Sequence, residues 1–280
     1  MDLEQTVTGL GNIGSKIPSN WSKTKKDIWA GIKGWRIWLL ISWQDIRQRY
    51  RRSQLGPFWI TISMAVQIYS IGFLYGKLFG EDLSTYYPHL AGGMLSWSFI
   101  SALILESTSG FIAAENYLRQ MKISYSIFIF RVISRNLIVF FHNIFVIVPI
   151  IIIFHVPVNW HTLLFILGII IILFTGMGFG LLLAVIGARF RDICPIFQSV
   201  IQICFFLSPI VWQESRLPEK YRFAVDYNPF AQFLNLLREP LLGNVPSLYS
   251  YTFTLLFGLI SLVLALFIFN RSRKLIIYWL

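Results

Sequence analysis

The sequence predicts an all-α, polytopic membrane protein, with six transmembrane helices, an amphipathic interface helix ahead of them and one re-entrant helix on the outer side. Three observations predict it. Hydrophobic residues make up 56% of the chain and charged ones 13%, about half the charged share of an average soluble domain. Apolar runs long enough to cross a hydrocarbon core of roughly 30 Å recur along the chain. The lysines and arginines outside those runs gather in alternate connections, the pattern that sets orientation in a bilayer.

Residues 1–26 are polar, contain Gly, Ser and Asn, and end in KTKK. They read as a flexible cytoplasmic tail. The first twenty residues hold no continuous apolar core, so a cleavable signal peptide is not expected. Over 27–56 the pattern changes. Ile28, Ile32, Trp35, Leu39, Trp43, Ile46 and Tyr50 recur at intervals of three and four, while Lys33, Arg36, Gln44, Asp45, Arg47, Gln48 and Arg51 fall mostly elsewhere. This is an amphipathic helix. Trp29, Trp35, Trp38 and Trp43, with basic neighbours, suit a helix lying in the membrane interface. Gly56-Pro57 then breaks it, and Trp59 opens the first span at headgroup depth.

The membrane domain covers 57–274, with spans expected at about 58–79, 89–108, 129–153, 162–187, 195–212 and 249–270. The fifth is short and contains Pro209. Seventeen lysines and arginines fall on the side of the N-terminus and four on the other, which places both termini, including the end 275–280, in the cytoplasm. The outer connection 213–248 carries its own helix: Asn228 supplies a cap, Pro229 a first helical position and Gly243 a stop. Phe230, Phe233, Leu234, Leu237 and Leu241 give this helix one apolar face. It is either re-entrant, laid against the outer mouth, or a plain surface helix.

Chemistry of the chain's own is hard to assemble. GFLYGKL (Gly72 to Leu78) has the wrong glycine spacing for a phosphate-binding loop, lacks Ser/Thr after the lysine and lies in a span. His89, His142, His155 and His161 do not show zinc-site spacing, and Cys194 and Cys204 suit neither a metal site nor a disulfide framework. No cofactor, metal or nucleic-acid partner is expected, and ATP-driven work requires a separate subunit. Glu106, Arg131 and Arg135 lie toward the cytoplasmic ends of the second and third spans, where they can pair or snorkel. Aromatic rings are abundant in the first and fifth spans. Trp59, Tyr69, Phe73, Phe197, Phe205, Phe206 and Trp212 are candidates to line a path for a sugar polymer, whose C–H faces stack on rings; lipid-facing or helix-packing roles account for most such residues.

Five stretches, RYRRSQLGPFW (Arg49 to Trp59), FGE (Phe79 to Glu81), ARFRDI (Ala188 to Ile193), SPIVW (Ser208 to Trp212) and NPFAQFLNLLREPLLG (Asn228 to Gly243), come in an order that resembles the permease subunit of ABC transporters exporting polysaccharides such as O-antigen, capsule or teichoic acid. The likeness runs over about residues 36 to 274. It implies a homodimer in the bacterial inner membrane, two copies of an ATP-hydrolysing partner, and outward movement of a glycan on undecaprenyl diphosphate through a central channel. It also implies ATPase docking at Ala114 to Ser124 and Ala188 to Asp192, with Glu115, Arg119, Lys122, Arg189, Arg191 and Asp192 as contact residues, and an outer gate built on Asn228, Pro229, Phe230, Phe233 and Leu237. The cluster Arg47, Arg49, Arg51 and Arg52 then has two readings. It receives the cargo diphosphate as it enters, or it anchors the chain to anionic lipid, worth on the order of 1 kcal/mol per basic residue. A related permease for a drug or lipid is the nearest alternative, a membrane-bound transferase a more distant one.

Overall fold

The computed structural model describes residues 20–51 and 53–280, which are helical with no strand among them. Two helices, α1 (Asn20–Lys33) and α2 (Trp35–Arg49), replace the single interface helix expected over 27–56. The break falls at Gly34, the residue with most backbone entropy to lose in a helix. Its amide still reaches the Ala30 carbonyl at 2.8 Å, so the chain bends there without unravelling. Residues 20–26, expected in the flexible tail, are helical because Thr24 and Asp27 are buried while Lys25 and Lys26 stay in solvent; the remainder of that tail, 1–19, lies outside the described residues. In α2 the stripe Trp35, Leu39 and Trp43 is exposed, as an interfacial helix requires. The face against the protein is a different one, carrying Ile41, Ser42 and Ile46.

Among the described residues, five segments are long and apolar enough to cross a membrane: Phe58–Leu78, Leu83–Thr108, Ser126–Ile153, Trp160–Arg189 and Leu248–Ser272. They correspond to α3 (Phe58–Phe79), α4 (Leu83–Thr108), α6 (Ser126–Ile144) followed by α7 (Ile147–Ile153), α8 (Leu164–Arg189) and α12 (Leu248–Ser272). The first helical residue of α4 precedes the expected start at 89, because Asp82 accepts the Ser84 amide at 3.1 Å and caps a polar first turn that hydropathy misses. The third span is divided at Phe145 and Val146. Pro149 explains this, since it has no N–H to offer the Phe145 carbonyl one turn back. The expected fifth span, 195–212, differs most. α9 (Ile193–Leu207) has only 15 residues, about 22 Å at 1.5 Å per residue, and stops where Pro209 drives Ser208 into extended backbone at φ −95°, ψ 146°.

Four short helices complete the chain: α5 (Glu115–Gln120), α10 (Phe223–Asp226), α11 (Pro229–Leu241) and α13 (Ile276–Trp279). Side-chain contacts place the start of α6 and the ends of α1, α8 and α12 at one end of the bundle, through Asp27 with Ser126 and Arg273 and through Arg189 with Trp279. The turn from α3 to α4 meets the chain beyond α9 at the other end, where Glu81 pairs with Arg216. The largest core surrounds α4, whose Leu90, Leu95, Phe99 and Ile100 are buried against α8 and α11. α8 and α12 approach most closely at two glycines: a Cβ on Gly178 would lie 2.7 Å from the Leu262 amide nitrogen, and one on Gly258 would lie 2.6 Å from Thr175 Oγ1. In α8, Gly180 is tight against Ser107, whereas Gly176 has only ordinary contact.

Candidate functional site

α2 ends at Arg49, and the chain turns through Gly56 (φ +56°) and Pro57 into α3. An open groove of about 800 Å³ lies along the end of α2 and the turn that follows it, lined by Trp43, Gln48, Tyr50 and Pro57 and by Arg47 and Arg51. Arg47 is in the last turn of α2 and Arg51 in the turn just beyond it, and both line the groove. Both are exposed, and neither enters an ion pair with a described residue. Arg49 is exposed but does not line the groove, and Arg52 lies outside the described residues. Planar guanidiniums without an ion-pair partner among the described residues, beside tryptophan and tyrosine, form a surface that can take phosphate oxygens.

The other face of α2 carries Asp45, which joins a charge network with two spans. Its carboxylate accepts Arg131 Nε at 2.6 Å and Nη2 at 2.8 Å, and Arg135 Nη1 at 3.1 Å. Arg135 also donates to Glu106 at 2.6 Å, and Asn136 Nδ2 to the same oxygen at 2.5 Å. Ser42 Oγ reaches the Arg131 carbonyl at 2.9 Å. The four charged side chains are between 11% and 24% exposed. Two acids and two guanidiniums balance, and every carboxylate has more than one donor, the condition under which part-buried charges are tolerated in a membrane protein. Glu106, Arg131 and Arg135 stood out in the sequence as able to pair; Asp45 did not, since it looked like one more polar residue on an interface helix.

At this end of the bundle a second core gathers Phe111, Ala114 and Leu118 with Ala188, Ile276 and Leu280. The two connections marked as docking segments are therefore seated on one small apolar platform. Glu115 and Arg119 pair at 2.8 Å in solvent, an interaction of small value, and Lys122, Arg191 and Asp192 are exposed. Arg189 lies over the Phe190 and Trp279 rings at 5.1 and 5.4 Å, a cation–π arrangement that brings the C-terminal α13 to the turn after α8. Above this platform Asp27, fully buried, accepts the Ser126 amide at 3.1 Å and the Tyr125 amide at 3.3 Å and pairs with Arg273. Burial raises the Tyr125 phenol above its ordinary pKa. Neither Asp27 nor Arg273 stood out in the sequence, because their partners are 99 and 246 residues away.

At the opposite end α11 is inserted among α4, α8 and α12, with Ala231, Phe233, Leu234, Leu236, Leu237 and Leu241 buried. This excludes a plain surface helix. Asn228 caps it, accepting the Phe230 amide at 2.9 Å, and Pro229 takes the first turn, as the NPF sequence predicts. Gly243 follows at φ +80°, packed so closely on the Pro157 carbonyl that a side chain there has no room. The unexpected residue is Arg238, whose side chain is 3% exposed. It donates to the Pro209 carbonyl at 2.6 Å, to Asn235 at 2.7 Å and to Glu214 at 3.1 Å, and His89 Nε2 lies 3.4 Å away. In the turns at this end, the bond to Glu81 raises the pKa of the Arg216 guanidinium, and the Ser84 bonds lower that of the Asp82 carboxyl.

The seven aromatic candidates are spread over α3, α9 and the segment that follows α9. Trp59, Phe73 and Phe206 are exposed on α3 and α9. Tyr69 packs on Tyr87, Phe197 on Phe179 and Phe205 on Trp97, while Trp212 Nε1 donates to the Phe206 carbonyl at 3.2 Å.

Comparison with known proteins adds to this geometry. Two O-antigen export system permease proteins RfbA of Klebsiella pneumoniae align with the chain, one 24% identical over 238 residues and one 21% identical over 237. Each alignment covers 84% of this chain and 91% of the relative. Residues 36–242 match the membrane family described as ABC-2 type transporter, a stretch holding the groove, the charge network, both docking segments and nearly all of the outer helix region. This multi-pass chain is a transporter component and belongs to the ABC-2 type transporter family.

Proposed function

We propose that the chain is the channel-forming permease of an ATP-driven exporter that moves a polysaccharide, carried on undecaprenyl diphosphate, outward across a bacterial cytoplasmic membrane. The observation that carries this reading is the groove of unpaired Arg47 and Arg51 beside an interfacial helix, in a chain that aligns with O-antigen export permeases over 84% of its length. A diphosphate in the inner leaflet would meet these guanidiniums at the depth where Trp43 and Tyr50 sit.

In this reading the arginine-rich end and both termini are cytoplasmic, in keeping with the excess of basic residues there. α9 with the extended Ser208–Trp212 segment makes the sixth crossing. The exposed apolar faces of α3 and α9, which carry Trp59, Phe73 and Phe206, meet a second copy, and the glycan passes between the two. Two ATPase subunits dock on the platform bearing Glu115, Arg119, Lys122, Arg189, Arg191 and Asp192. α11, introduced by Asn228 and Pro229 and held by Phe230, Phe233 and Leu237, forms the outer gate.

Co-purification with the ATPase subunit expressed beside it tests the reading. The complex is expected to contain two copies of each chain and to hydrolyse ATP several-fold faster when undecaprenyl-diphosphate-linked glycan is added. Stimulation by drugs or phospholipid alone, with none by the lipid-linked glycan, would overturn it.

A further inference from the structure

We infer that Asp45 is a positioning residue for the groove: its bonds to Arg131 and Arg135 set the rotation of α2 that presents Arg47 and Arg51 to a diphosphate. The inference rests on the proposed function of the groove. α2 is a separate 15-residue helix, cut from α1 at Gly34 and from α3 by the turn at Gly56 and Pro57. A helix of that length is marginal alone and depends on tertiary contacts. Its apolar stripe, Trp35, Leu39 and Trp43, is exposed. Lipid satisfies burial of that stripe over a range of rotations, while Ile41 and Ile46, buried against the protein, choose the inward side of α2; apolar contact is non-directional and sets the rotation only coarsely.

Directional bonds on the other face set it finely. Asp45 grips Arg131 through two bonds of 2.6 and 2.8 Å, a planar geometry that fixes orientation as well as distance. Ser42, one turn earlier, adds its 2.9 Å bond to the Arg131 carbonyl. Arg131 and Arg135 are themselves held, since Arg135 is anchored on Glu106 of α4 at 2.6 Å. At 100° per residue, Arg47 lies well round the helix from Asp45, and Arg51 follows in the turn just past the helix end, its amide on the Gln48 carbonyl at 3.3 Å. Any rotation that breaks the Asp45 pair therefore carries Arg47 with it and moves the turn that bears Arg51. Arg131, left without Asp45, would also become an uncompensated part-buried cation, while Arg135 keeps Glu106.

The test uses the permease with its ATPase partner in lipid nanodiscs, reading ATP hydrolysis against added undecaprenyl diphosphate. Asp45→Asn is expected to raise the half-maximal concentration tenfold or more, while basal hydrolysis and the maximal stimulated rate stay within twofold. The swap Asp45→Arg with Arg131→Asp restores the pair and is expected to bring the half-maximal concentration back to within threefold of the parent. If Asp45→Asn fails to fold, Asp45→Glu serves: it keeps the charge one methylene away, and a rise of at least threefold is expected. A half-maximal concentration unchanged in the folded variant overturns the inference. Inorganic pyrophosphate distinguishes a membrane-held diphosphate from a soluble one; if it competes as well as the lipid, its inhibition constant must rise in Asp45→Asn by the same factor, and failure to do so also overturns the inference. The double variant Arg47→Gln with Arg51→Gln separates the two levels. If it leaves the curve unchanged, the groove reading itself falls; if it shifts the curve and Asp45→Asn does not, only the positioning role falls.

Discussion

The Asp27 carboxylate accepts the Ser126 backbone amide at 3.1 Å across 99 residues of chain, so the first described helix caps the start of α6. The same carboxylate pairs with Arg273 at the end of α12. One buried side chain thus ties three helices together beside the segment that bears Lys122.

Asp27→Ala removes two amide bonds and one ion pair from a site with no exposure. A loss of about 3 kcal/mol is expected, because a buried donor set and a part-buried guanidinium are left unsatisfied. Asp27→Asn keeps one acceptor for the amides and is expected to cost about half as much. Thermal unfolding in detergent checks both, and equal stability of the two variants would contradict the capping role.

Arg238→Met should loosen the outer end without disturbing the docking platform. It leaves the Pro209 carbonyl and the buried side of Asn235 without their donor, a penalty of about 1–3 kcal/mol. The expected sign is faster proteolysis in the stretch from Glu214 to Tyr227, with the cleavage pattern near Glu115 and Arg189 unchanged.

Gly178→Ala and Gly176→Ala form a matched pair. At 178 the added methyl meets the Leu262 backbone, which cannot swing aside as a side-chain end can, and about 1–3 kcal/mol is expected to be lost. At 176 the nearest atom is 3.6 Å away, so alanine is expected to be neutral or to stabilise by up to about 1 kcal/mol through its better helix propensity. Melting temperatures of the two variants in one detergent decide the matter.

Much of this was legible in the sequence for reasons that particular residues make clear. The long apolar runs read directly as helices, and Asn228-Pro229 announced the start of α11 because capping is chemistry between near neighbours. The losses have local and tertiary causes. The break in the third span comes from Pro149, whose effect falls one turn upstream at Phe145. The helix over residues 20–26 depends on Asp27 being buried by α6 and α12, which no local pattern records. Arg238 counted only as an outer basic residue until the fold buried it, and Asp45 read as polar surface until α6 supplied Arg131. Partners tens to hundreds of residues apart leave no periodicity to read.

Arg189→Glu and Asp192→Lys test the docking platform apart from the groove. Both residues are exposed, so membrane insertion is expected to be unchanged; melting is expected to stay within about 0.5 kcal/mol of the parent for Asp192→Lys and to fall by about 1–2 kcal/mol for Arg189→Glu, which loses its contacts with Phe190 and Trp279. Recovery of the ATPase subunit on co-purification is expected to fall at least tenfold. Undiminished recovery with both variants would move the docking surface elsewhere.

Translocation itself tests the account most directly. Inside-out membrane vesicles holding the permease and its ATPase partner, loaded with radiolabelled undecaprenyl-diphosphate-linked glycan in the outer leaflet, are expected to move the glycan into the lumen only when ATP is added. Arg189→Glu is expected to abolish that movement, and the double change Arg47→Gln with Arg51→Gln to demand at least tenfold more lipid-linked glycan for half the rate. Movement that needs no ATP, or that proceeds unchanged in both variants, would contradict the assignment of this chain as the permease of a polysaccharide exporter.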